Sequence, residues 1–200
     1  MNESTALMTI EPWYWIAFTV TAAAAQVGRN ATQRSLTSVI GTVGATQVRF
    51  LYGLPFGIMF AAIVVYAHGQ GLPSIGTESL RWAFIGGVSQ ILATGLMLAA
   101  MREKSFVVAT ALTKIEPVWV ALFGLILLGD LLSQALMIAI ASATAGVLVM
   151  SWPSRSVPWT FRPVLFGIAS GAMFAVAAIG FRAAIRALES PSFVLSASVI

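Results

Sequence analysis

Two charged side chains, Lys114 and Glu116, lie near the middle of an apolar run that extends from Ser105 to Leu128. In a helix that rises about 1.5 Å per residue, Lys114 would lie roughly 14 Å from one end of this run and roughly 21 Å from the other. A lysine side chain cannot cover either distance. Since a charge near the centre of a bilayer costs about 2.5–3.5 kcal/mol, both residues need a polar cavity or a partner. The pattern therefore predicts a functional site inside a membrane.

Pro117 follows these two charges and is predicted to kink the helix, as Pro55 is predicted to do in an earlier apolar run. A proline frees a backbone carbonyl, which a membrane tolerates where protein or cavity water satisfies it. Lys114 and Glu116 are roughly 200° apart around a helix, so each is expected to face a different neighbour rather than the other. The alternative to a functional site is a structural ion pair with an adjacent helix.

A second polar group follows the first apolar run. Trp13–Gly28 supplies 16 uncharged residues, or roughly 24 Å of helix, which falls short of a hydrocarbon core about 30 Å thick. The helix must therefore continue through the polar residues that follow, which places Arg29 at membrane depth. Gln26, Asn30 and Gln33 then recur at helical spacing and form a polar stripe. The alternative is a tilted helix whose polar end reaches the surface. The candidates for a substrate pathway here are Gln26, Arg29, Asn30 and Gln33.

Arg49 and Gln90 complete the set of candidates. Arg49 precedes an uncharged run and could equally anchor a helix at the interface, while Gln90 could form an ordinary interhelical hydrogen bond.

Composition sets the class of protein. The chain is 58% apolar and 9% charged, with a mean hydropathy of +0.91, which predicts an all-α, polytopic bundle of membrane helices. The single histidine and the absence of cysteine exclude disulfides, zinc sites and iron–sulfur clusters, so we expect no metal and no cofactor. No nucleophile–base pair is evident, so an enzyme is not expected. The small net charge of +4 does not indicate nucleic-acid binding.

Charge, glycine and proline divide the chain into six predicted spans and the start of a seventh at 192–200. Because nine residues cannot cross a bilayer, we expect the sequence to be part of a longer protein. The predicted spans are 13–34, 46–67, 82–101, 105–128, 131–151 and 164–187.

An internal repeat relates the sixth span to the first. A shift of 152 residues aligns Gly28 with Gly180 and Arg34 with Arg186, and ten of the 37 aligned pairs are identical. The repeat then contains five spans, at 13–151, and an incomplete second copy occupies 164–200. Because five is odd, the second copy must enter the membrane inverted, an arrangement typical of secondary transporters.

The chain resembles the drug/metabolite transporter superfamily, specifically proteins with two EamA-type repeats. The resemblance rests on the five-span unit and on residues 111–130, where Pro117, Gly129 and Asp130 match a mid-helix proline followed by Leu-Gly and an acidic residue at the exit. Glu is more usual at the position of Asp130. The resemblance implies ten spans in two repeats and transport of a small metabolite or drug, with no indication of which one.

We therefore expect a multi-pass transporter in the plasma (inner) membrane of a bacterium, working by alternating access. Its expected partners are the lipid bilayer and a small-molecule substrate. Because cationic candidates outnumber the deep acid, the substrate is expected to carry a carboxylate or another anionic group, and Glu116 to act as a counter-ion or a proton-coupling group. The alternative is a non-transporting membrane subunit that uses its intramembrane polar residues for helix association.

Overall fold

The computed structural model describes residues 14–69, 71–103, 106–128, 133–150, 161–188, 190 and 192–200. Every regular element within these ranges is helical, and a π-helical turn at Gly124–Leu128 extends the fourth helix. Gly129 and Asp130, which carry part of the family resemblance, lie outside the described residues. The helices are α1 (Tyr14–His68), α2 (Thr77–Glu103), α3 (Phe106–Thr113), α4 (Glu116–Phe123), α5 (Gln134–Met150), α6 (Phe161–Arg186) and α7 (Phe193–Val199).

Within the described ranges, four helical segments are long and apolar enough to cross a membrane, and the segment Gln134–Val147 is apolar but shorter. Large apolar side chains on their outer surfaces are exposed, as at Phe56 and Ile63. A surface of this kind is stable in lipid rather than in water, which supports an integral membrane protein. The four segments are Ile16–His68, Thr77–Glu103, Ala109–Ile126 and Phe161–Arg186.

The first two predicted spans belong to a single element that folds back at Gly41. A straight helix of this length would measure about 80 Å, far more than a bilayer core. Gly41 has φ 74° and ψ 174°, a conformation that is essentially restricted to glycine. Gln33 Nε2 donates to the carbonyl oxygen of Ala45 at 3.5 Å, although these positions would be about 18 Å apart along a straight helix. Gly41 therefore separates an N-terminal arm of α1 (14–40) from a C-terminal arm (42–68).

The closest packing in the fold joins α2 to α6, which run antiparallel. Ser79 Oγ donates to the Ala184 carbonyl at 3.0 Å, and Ser170 Oγ donates to the Ala93 carbonyl at 2.7 Å. Between these bonds, a Cβ added to Gly180 would lie only 2.9 Å from the backbone nitrogen of Gly86. Small residues and serine hydrogen bonds are the means by which helices associate where the surrounding lipid is as apolar as their side chains.

A small apolar core fixes the start of the C-terminal arm of α1 against the rest of the bundle. Ala45 is fully buried and packs with residues at the end of α2 and in α3. This contact determines where the next turn of the arm, including Arg49, faces the other helices. The buried members of the cluster are Ala45, Met97, Leu98, Ala100, Met101 and Ala109.

Pro55 lies within α1, where Gly41 is the residue with non-helical backbone angles. The marked change of direction in α1 therefore occurs fourteen positions before the proline that the sequence suggested as a kink. The reason is that proline can sit in a helix with helical dihedral angles, whereas the conformation of Gly41 cannot continue one.

Candidate functional site

The fourth predicted span is broken between Lys114 and Glu116 rather than continuous. The Lys114 amide donates to the Ala111 carbonyl at 3.0 Å, and the Ile115 amide donates to the Leu112 carbonyl at 3.3 Å, so both bonds span three residues instead of four. A new helix, α4, begins at Glu116 and has Pro117 in its first turn. Proline is well suited to that position because its missing N–H would be unpaired there anyway. The span predicted over 105–128 is therefore interrupted at Lys114 and Ile115, directly before Pro117, the residue at which the sequence predicts a kink.

Two glycines of α6 allow the broken span to lie directly against that helix. A Cβ on Gly171 would lie 3.1 Å from the carbonyl oxygen of Thr113 and 3.4 Å from the amide nitrogen of Glu116. A Cβ on Gly167 would lie 2.7 Å from the Cβ of Leu112. The Thr113 carbonyl is the group whose helical partner would have been Pro117, which has no N–H to donate. Gly171 therefore lets the backbone of the break approach α6 closely, and Gly167 leaves room for the Leu112 side chain.

A polar cavity of about 20 Å³ adjoins the break, and it brings α1, α2, α4 and α6 together with the end of α3. A space of this size holds about one water molecule. We call this space the central cavity. Its lining residues are Gln26, Arg29, Asn30, Arg49, Met97, Thr113, Lys114, Glu116 and Phe174.

The central cavity is rich in positive charge. Three cationic side chains and one carboxylate line it, which gives a formal charge of +2. Lys114 attracts Glu116, whereas Arg29 and Arg49 repel each other across the cavity. Arg49 and Glu116 are half-buried, whereas Arg29 and Lys114 are exposed on the described part of the chain. The excess of positive charge is suited to an anion.

Two polar atoms at the central cavity lack partners within the described part of the chain. Asn30 is 5% exposed, and its Oδ1 accepts no hydrogen bond, while Arg49 Nη1 donates none. Arg49 also lies over the ring of Phe50, with 5.4 Å from Cζ to the ring centroid. Leaving a buried polar group without a partner costs roughly 1–3 kcal/mol. Both atoms therefore lie buried at the cavity with unsatisfied hydrogen-bonding capacity.

The structure brings six of the eight predicted pathway residues together. Gln26, Arg29, Asn30 and Arg49 come from the two arms of α1, and they meet the two charged residues of the broken span. Lys114 and Glu116 face the same cavity, although they were expected to face different neighbours. The break reorients the chain between them, so their separation is not that of a continuous helix.

The remaining two candidates lie elsewhere. Gln33 is buried, but its amide bonds to the Ala45 carbonyl across the fold in α1. Gln90 is half-buried in α2, and its backbone carbonyl accepts a hydrogen bond from the Thr94 hydroxyl at 2.9 Å. Sequence reasoning missed Met97 and Phe174, which also line the central cavity. Nothing in the sequence distinguishes these two apolar residues from others in apolar helices.

A second space also borders Glu116. This α4–α5 cleft has a volume of about 300 Å³. Glu116 therefore lines both the cleft and the central cavity. A wider groove of about 840 Å³ between α1 and α2 contains none of the eight candidates. The cleft is lined by Glu116, Pro117, Val120, Ala121, Leu136 and Ile140.

Comparison of the chain with protein-family models, curated proteins and solved structures finds no match.

Proposed function

We propose that this protein is a secondary transporter of the drug/metabolite transporter type that moves a small metabolite carrying an anionic group. The observation that carries the proposal is the central cavity, where three cations and one carboxylate meet beside a broken helix in an otherwise apolar bundle. A single charge at membrane depth costs about 2.5–3.5 kcal/mol. Arg29 and Lys114 are exposed on the chain and Arg49 and Glu116 are half-buried, so within a membrane the four charges need a compensating ligand, water or partner. Substrate recognition is such a compensation.

The broken span supports the proposal in its own right. Secondary transporters commonly form their substrate sites from discontinuous helices near the middle of the bilayer, where unwound backbone lines a cavity. Here the interruption at Lys114 and Ile115 falls next to the charged cluster. We propose that motion at this break, with rearrangement of the adjoining helices, provides alternating access to the central cavity.

The inverted repeat remains part of the proposal. The antiparallel contact between α2 and α6 agrees with it. These helices correspond to the third and sixth predicted spans, and inversion after five spans requires the sixth span to run opposite to the third. Gly180 forms the close contact in this pair, whereas a Cβ at Gly28, its partner in the repeat alignment, would meet nothing within 4 Å. We further propose a bacterial plasma membrane as the location.

The alternative function is that of a subunit whose intramembrane polar residues hold helices together. The closest helix pair argues against this use of the charged cluster, because α2 and α6 associate through glycines and serines. The charged residues instead surround a cavity that contains unpaired polar atoms.

The test is uptake by the full-length protein in proteoliposomes. The probes are radiolabelled methanesulfonate, benzenesulfonate, succinate and phosphate, which stay ionised at neutral pH and cross lipid slowly. We expect uptake of at least one probe above that of empty vesicles, and we expect Lys114→Met to raise its KM about tenfold, as loss of one charge contact would. Arg81→Gln, on an exposed residue of α2, serves as the matched control and should transport normally.

Two results would refute the proposal. The first is the absence of protein-dependent uptake for all four anions with correctly folded protein. The second is unchanged uptake by Lys114→Met together with a lower melting temperature in detergent, which would assign the charged cluster to structure.

A further inference from the structure

The two spaces that border Glu116 differ greatly in size and in chemistry. The central cavity has room for about one water molecule at 20 Å³, and three cations line it together with Glu116. The α4–α5 cleft offers about 300 Å³, and Glu116 is the only charged side chain among the described residues that line it. An organic anion is larger than one water molecule and would extend beyond the central cavity as the structure shows it. The cleft that shares Glu116 is where its apolar part would lie.

The cleft is suited to an apolar group of moderate size. Its walls are the proline, valine and alanine of the first turns of α4, which face a leucine and an isoleucine of α5. A closed apolar cavity of about 150 Å³ is known to hold benzene. A space of about 300 Å³ can therefore accept an aromatic ring or a branched alkyl group.

The two spaces share one lining residue, Glu116. Glu116 lies in the first turn of α4, immediately after the break, and borders both spaces. Arg49 Nη1 and Asn30 Oδ1 remain without partners on the charged side. A ligand that extends past Glu116 would place a charged head beside Arg49 and Lys114 and an apolar group between α4 and α5.

We propose that the central cavity and the α4–α5 cleft form one divided site, which selects amphipathic organic anions over compact ones. The anionic head binds at the exposed cations that line the central cavity, Arg29 and Lys114, and the apolar group occupies the cleft. This inference rests on the proposed transport function and adds to it the shape and polarity of the substrate. Charge complementarity with the three cations favours such an anion as the occupant over a neutral acyl chain.

The experiment compares uptake of benzenesulfonate with uptake of methanesulfonate in proteoliposomes of the full-length protein. The two probes carry the same anionic group, and they differ in that one has a phenyl group and the other a methyl group. We expect kcat/KM for benzenesulfonate to exceed that for methanesulfonate by about tenfold or more, the range that a hydrophobic pocket provides.

Ile140→Phe is the decisive variant, because it fills the cleft and leaves every charged residue unchanged in the sequence. It should lower the preference for benzenesulfonate to near unity while methanesulfonate uptake persists. Ile138→Phe makes the same change on the same helix at a residue that is 67% exposed and should leave the preference unchanged. Ile140→Ala enlarges the cleft and should improve uptake of naphthalenesulfonate relative to benzenesulfonate, which tests the inference even if the phenylalanine variant does not fold.

The outcomes separate this inference from the function on which it rests. Equal uptake of the two sulfonates by the wild type would overturn the divided site and leave anion transport standing. An unchanged preference in both Ile140 variants would do the same and would assign the cleft to a lipid acyl chain. If no anion is taken up by folded protein, the proposed function fails.

Discussion

Replacing Glu116 with glutamine tests whether the carboxylate competes with the substrate for the cations of the central cavity. The change keeps the size and hydrogen bonding of the side chain but removes its charge, so the formal charge of the cavity rises from +2 to +3. Lys114 attracts Glu116 in the structure, and an incoming anion must share that lysine. We therefore expect Glu116→Gln to bind anions more tightly than the wild type.

Coulomb's law gives the size of the effect. For an anion held about 6–8 Å from the carboxylate, like charges repel by about 2–3 kcal/mol at an effective dielectric of 20. Removing that repulsion corresponds to roughly 30- to 100-fold in affinity. Because Glu116 is only half-buried, screening by solvent reduces the effect. We expect a decrease in Kd of about tenfold.

The assay is isothermal titration of benzenesulfonate into the detergent-solubilised full-length protein, followed by uptake in proteoliposomes with and without a proton gradient. Glu103→Gln, on an exposed residue at the end of α2, is the control and should bind as the wild type does. If Glu116 also couples protons, the variant should lose stimulation by the gradient while exchange of bound for free anion continues. Unchanged or weaker binding by Glu116→Gln would refute the reasoning, because it would show that no negative charge opposes the anion there.

Two further substitutions test the backbone features that position the site, both by thermal unfolding in detergent. Gly41→Ala should destabilise the protein by about 1–3 kcal/mol, because a φ of 74° with a ψ of 174° is accessible essentially to glycine alone; an unchanged melting temperature would show that α1 does not fold back as described. Gly180→Ala should destabilise by about 1–3 kcal/mol through overpacking against α2, whereas Gly28→Ala, made in open space, should be neutral or stabilise by up to about 1 kcal/mol. Equal effects at the two positions would contradict the close contact between α2 and α6.

The break in the fourth predicted span shows where reading a sequence by helical periodicity fails. Periodicity assigns each residue a direction by assuming one continuous helix, and under that assumption Lys114 and Glu116 face different neighbours. The backbone leaves the helical path at Lys114 and Ile115, so the assumption fails at the two positions that matter most. Pro117 indicated a disturbance there, but the glycines of α6 that accommodate the break are more than fifty residues away along the chain.

The sequence by itself determined the class of protein, the positions of the apolar helices and the residues that need a polar environment. These are consequences of transfer free energies, which depend on the composition of each segment and little on its neighbours. A charge such as Lys114 in the middle of an apolar run is costly wherever the helix packs, so its need for a polar cavity or a partner follows from the order of the residues alone.

Only the tertiary structure decided which of these polar residues meet. Arg49 joins Arg29 at the central cavity because α1 folds back at Gly41, and Gln33 is left out because its amide spans that same fold. Met97 and Phe174 line the cavity because α2 and α6 approach closely at Gly86 and Gly180, elsewhere along the same pair of helices. The physical reason is that convergence depends on contacts between segments far apart in the chain, which the periodicity of a single helix does not encode.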